Sequence, residues 1–153
     1  MIAAGSLLLR CPVTAARFER YTRMMLAGAA AILVALAALH GFEFGPLEEL
    51  LTDAGLPDTW RDAMRVVWIL YSAHLLLIAA MLAYSAGRSH AVPGALLMIC
   101  GLIPALDALL MLIYVGDFIG TLLLGFAAVL IFGAVARGTM HWHDGGVESL
   151  RSR

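Results

Sequence analysis

The chain has no lysine: all ten of its basic residues are arginines. It has only two cysteines, Cys11 and Cys100, far apart and in unlike settings, so no disulfide framework is implied. Charged residues make up 14% of the chain and hydrophobic ones 62%, whereas soluble domains run at about a quarter charged and less than half apolar. A soluble fold of 153 residues has too little interior to hide that much apolar surface. With a formal net charge of −1, nucleic acid is not an expected partner. Also missing are the H-E-x-x-H, G-x-S-x-G and Walker-type motifs, and the C-x-x-C pair of thiol redox enzymes. No complete catalytic set is legible, and no cofactor is expected.

What is present is a series of long apolar runs. Spans are expected at about 24–42, 64–87, 91–115 and 118–136; the first is free of charged residues and the third is interrupted only by Asp107. At about 1.5 Å of rise per residue, roughly 20 apolar residues cross a hydrocarbon core of about 30 Å. The runs do not alternate apolar with polar, as barrel strands do, so helices are the remaining way to satisfy the backbone in lipid. The fold class expected is an all-α integral membrane protein, a four-transmembrane-helix bundle.

Arginine placement orients it. Arg10, Arg17, Arg20, Arg23, Arg88, Arg137, Arg151 and Arg153 fall on one side, against Arg61 and Arg65 on the other. Both termini are therefore expected in the cytoplasm, in a cell (inner) membrane. Residues 1–23 read as a cytoplasmic extension. They lack a basic n-region and a small-x-small cleavage site, although a start at Met24 or Met25 is an alternative. Residues 137–153 read as a cytoplasmic tail.

The long outer loop, 43–63, has a pattern of its own. Pro46 opens it, Leu47, Leu50, Leu51 and Ala54 recur at helical spacing, and Gly55 and Pro57 close it. This predicts a short amphipathic helix over 46–55, lying on the membrane surface or capping the bundle. Asp58 or Thr59 is placed to N-cap the second span, with Trp60 and Trp68 near the interface. A tight turn near "VGD" makes the third and fourth spans antiparallel neighbours. Small residues are expected to thin the helix contacts: Ala27, Ala31, Ala35 and Ala38 form one stripe, and Gly125, Ala128 and Gly133 another. Such stripes serve packing within the bundle or association with another membrane protein or a second copy, and the sequence leaves both open.

Polar residues inside the spans are the candidate site. Asp107 sits about 12 Å below the outer end of its span, at 1.5 Å per residue. A charged carboxylate there is costly, so it needs a proton or a partner. His74 lies at nearly the same depth, with Tyr71 one turn above it. His40, Arg65 and Tyr114 are near enough along their helices to complete an outer-half cluster. Pro104, one turn before Asp107, leaves the carbonyl of Cys100 without its helical donor, a second polar group for the same pocket. A His–Asp pair fixes helix register, carries a proton or ligand, or meets a partner subunit. His40 and His74 differ too much in depth to hold one haem iron. In the tail, His141, His143 and Asp144 are weak metal candidates, short of the four ligands a zinc site needs.

Three readings of function follow. The first is a binding, subunit or assembly role in a membrane complex. The second is a small proton-coupled transporter or channel component that uses Asp107 and His74. The third is a membrane enzyme or redox protein acting on a hydrophobic substrate through the outer-half cluster.

Overall fold

The computed structural model describes residues 12–88 and 93–151, with side chains described over 19–88 and 93–137. The described residues form five helices: α1 (Pro12–Phe42), α2 (Phe44–Asp53), α3 (Asp58–Gly87), α4 (Gly94–Tyr114) and α5 (Ile119–Arg151). Four stretches are long and apolar enough to cross a membrane; the first, Glu19–Asp53, includes at its end the ten-residue α2, which lies beyond the charge-free run of α1. The protein is an all-α four-helix bundle of membrane-spanning type.

Local chemistry explains the helix ends. Pro12 opens α1, where a missing N–H costs nothing. The short helix α2 begins at Phe44, before Pro46, because the first turn of a helix has donors without partners and tolerates a proline there. It closes with the Ala54 amide on the Leu50 carbonyl at 3.0 Å. Neither Asp58 nor Thr59 caps α3. Pro57 occupies that position in an extended conformation with no side-chain cap, and the Asp58 carboxylate pairs forward with Arg61 instead. Between α4 and α5 the chain reverses at Gly116, whose φ of 94° is open to glycine at no steric cost.

The helices pack in the spatial order α3–α1–α5–α4: α1 lies against α3 and α5, and α5 lies against α4. Apolar residues at helical spacing build the common core, with Leu26, Leu33 and Leu36 from α1, Leu75 and Leu82 from α3, and Leu124 and Ile131 from α5. From α4 come Cys100, Gly101 and Pro104. At Gly101 the approach is so close that a Cβ would stand 2.8 Å from the Phe132 ring. The fourth side of the square, between α3 and α4, scarcely closes. Burial of the most apolar stretch follows this order: 44% for Ile119–Arg137 and 33% for Glu19–Asp53, but 22% for α3 and 17% for α4.

The two small-residue stripes divide. On α5, Ala128 is buried and Gly133 lies against Met25, so both serve the bundle, while Gly125 meets open space. On α1 the bundle uses Leu26, Ala29, Ala30, Leu33, Leu36 and Ala37, whereas Ala27, Ala31, Ala35 and Ala38 are all exposed. That alanine stripe points away from the other spans.

Candidate functional site: a polar chain from α1 to α4

Trp68, Tyr71 and His74 recur every three residues on α3, so they share one side of the helix near its α2 end. His40, in the last turn of α1, lies between the first two. Its ring stacks on Trp68 with centroids 3.8 Å apart and planes 16° from parallel, and tilts against Tyr71 at 4.8 Å. The Trp68 indole N–H donates to the His40 carbonyl at 2.9 Å. That carbonyl is among the last four of its helix, which lack donors within it, and a buried indole needs an acceptor.

Tyr71 then meets the His74 ring edge-on at 4.9 Å. His74 Nε2 lies 3.0 Å from Asp107 Oδ2, joining α3 to α4 across the side where they otherwise hardly touch. The side chains remain 35% and 19% exposed, so the pair is half-sheltered rather than sealed. An imidazole and a carboxyl at this distance share one proton, with either group as donor according to the tautomer. The arrangement can tie two helices and can also pass a proton.

Four of the six residues expected in this cluster are thus contiguous: His40, Tyr71, His74 and Asp107. The other two are not part of it. Tyr114 closes α4 and is 82% exposed. Arg65 turns to α2 and its own helix: its Nε donates to Glu48 at 2.7 Å, a second guanidinium N–H reaches the other Glu48 oxygen, and Nη1 reaches Asp62 at 2.7 Å. Two carboxylates at the helix surface satisfy the guanidinium better than one intramembrane group already paired with histidine. This fork holds the Glu48 carboxyl below the usual carboxylate range, chiefly through the hydrogen bond from Arg65. Asp107 hydrogen-bonds His74 and not the Cys100 carbonyl, while Pro104 itself is buried on the core side of α4.

Sequence reasoning missed Trp68 as a member of the chain and Glu48 as the partner that draws Arg65 away from it. Trp68 carries a local signal, its three-residue spacing from Tyr71. Glu48 carries none, since its partner is 17 residues away in the chain. Among the described residues no cluster of three metal-ligating side chains occurs. The side chains of His141, His143 and Asp144 lie outside the described residues. Comparisons with protein-family models, with curated proteins and with solved structures find no match.

Proposed function

We propose that the protein is a component of a larger membrane assembly, and that a helix of its partner lies along the outward face of α1. One observation carries this reading: Ala27, Ala31, Ala35 and Ala38 are exposed in an unbroken stripe, while the bundle packs through the other side of α1. Lipid tails are as apolar as leucine, so helices associate in a bilayer by close van der Waals approach, which small side chains allow. The orientation that goes with this reading places both termini in the cytoplasm of a cell with an inner membrane. A cysteine at Thr52 in a cysteine-free background should then react with an impermeant reagent from outside, and one at Ser149 should not.

A photo-crosslinker at Ala31 tests the interface. One discrete adduct, lost when Ala35 is replaced by phenylalanine, supports it. A monomer that forms no adduct beyond lipid, unchanged by Ala35→Phe, overturns it.

The His74–Asp107 contact of 3.0 Å supports a second reading, a proton carrier. Proteoliposomes loaded with a pH dye should then acidify under an inward proton gradient, and Asp107→Asn should fold yet stop the flux, since an amide cannot exchange a carboxyl proton. A wild-type protein that carries no protons removes this reading.

A further inference from the structure

The His74–Asp107 contact stands on the side of the bundle that scarcely closes. Little else joins α3 to α4 there, and the pair spans the seam between them. Leu70 and Leu77 lie about one turn either side of His74, and Ile103 and Leu110 about one turn either side of Asp107. All four are exposed, so the pair is a polar island on an apolar wall. We infer that this seam binds an uncharged, hydrocarbon-soluble ring with two hydroxyl groups, a long-chain quinol.

The first argument is that the polar atoms are open. Among the described residues that are at least partly buried, only His40 and Arg61 carry an unpartnered side-chain nitrogen or oxygen closed off from its surroundings. Tyr71 Oη, His74 Nδ1 and Asp107 Oδ1 have no hydrogen-bond partner among the described residues either, and these three are accessible. A polar atom open to lipid has no water to satisfy it, so a ligand that hydrogen-bonds there supplies what the bilayer lacks.

Depth and charge select the ligand. At 1.5 Å per residue, Asp107 lies about 10 Å from the Tyr114 end of α4 and about 20 Å from the Gly94 end. A phospholipid keeps its charged head at the surface, so the occupant is a molecule that dissolves in the hydrocarbon core. A net charge on the pair is costly at that depth as well. Whichever group holds the shared proton, an uncharged pair keeps a second proton on Nδ1 and leaves Oδ1 as an acceptor. The seam thus offers two donors on α3, Nδ1–H and the Tyr71 hydroxyl, and one acceptor on α4. A quinol answers both helices at once: one hydroxyl oxygen accepts from α3, and the other hydroxyl donates to Oδ1. A lone alkyl hydroxyl has a single oxygen for groups on two helices. The gap between α3 and α4 admits the ring sideways from the bilayer, and its tail stays in lipid. Binding requires no electron transfer and no net movement of protons. It uses the residues of the proton-carrier reading but holds or fails apart from it.

The test uses the full chain in phosphatidylcholine nanodiscs, equilibrated with decylbenzoquinol in the absence of oxygen. Quinol retained above empty nanodiscs is measured, and saturable retention is expected. Asp107→Leu and His74→Phe should each raise the half-saturating concentration about tenfold or more, as loss of a desolvated hydrogen-bonding group requires. Tyr71→Phe keeps the ring and removes only the hydroxyl, and should raise it about threefold or more. Asp107→Asn keeps an oxygen acceptor and can still bond His74, so it should retain the quinol even where it stops proton flux. No saturable retention, equal retention of decylbenzene or decanol, or unchanged binding in both Asp107→Leu and Tyr71→Phe would each overturn the site. So would a protein adduct from a photo-crosslinker at Leu77 in native membranes, because a helix would then cover the seam. Ala35→Phe should leave quinol binding intact, and Asp107→Leu should leave the Ala31 adduct intact, so this site and the assembly reading fail separately.

Discussion

The outward faces of α1 and α4 can be compared directly, because both helices turn apolar residues away from the bundle. On α4 that face is made of Ile99, Leu102, Leu106, Leu109, Leu110 and Ile113, all exposed. On α1 the corresponding stripe is four alanines, flanked by Val34 and Leu39. Large branched side chains fill the irregular space between acyl chains. Alanines leave the backbone bare, which suits another helix better than a lipid. Two apolar faces therefore differ in what can cover them, and the difference lies in side-chain size.

The inward side of α1 sharpens the comparison most strongly. Leu33 is fully buried among α1, α3 and α5. Leu33→Ala should lower the free energy of unfolding in mild detergent by about 2–5 kcal/mol through the cavity it leaves. Leu106→Ala on the outward face of α4 should change it by less than about 0.5 kcal/mol. Equal losses at the two positions would mean that α4 faces protein and not lipid, and the comparison would collapse.

The seam between α3 and α4 comes next. With so little else joining these helices, Asp107→Leu should cost about 0.5–2 kcal/mol, the range of hydrogen bonds between membrane helices. Asp107→Asn can still bond His74 and should stay within about 0.5 kcal/mol of wild type. A more stable Asp107→Leu would show that the pair is no net tie between the helices.

The smallest effect is expected at α2, outside the apolar spans. The folded-state value of Glu48 is depressed by Arg65, so its tie to α3 is fully present above the ordinary carboxylate range near 4.5. That tie fades as pH falls through the lower folded-state value. Amide exchange of α2, corrected for intrinsic rates, should speed up relative to α3 in this acid window only. Glu48→Gln should show the faster exchange at neutral pH too. Exchange that does not respond to either change would mean that Leu51, buried under α2, holds the helix without the ion pair.

Much of this architecture is legible in the sequence because lipid imposes so strict a length and polarity rule. Four apolar runs can be little else, and equal depth along α3 and α4 brings His74 to Asp107. Depth says nothing about azimuth, however. Tyr114 shares a helical face with Asp107 by spacing, yet it falls at the end of α4, where its side chain stands exposed. Arg65 has an apparent route inward, but Glu48 arrives from a separate helix that the local pattern does not position. The alanine stripe shows the same gap. Two stripes on α1 have helical spacing, and only the packing of α3 and α5 against the leucine-bearing one reveals that the other faces out.

Photo-crosslinking at two matched sites tests the central claim most directly. With the same crosslinker at Ala31 on α1 and at Leu106 on α4, assayed in native membranes, Ala31 should give a discrete protein adduct and Leu106 only lipid adducts. Lipid adducts alone at both positions would contradict the account and leave the alanine face of α1 as ordinary bilayer-facing surface.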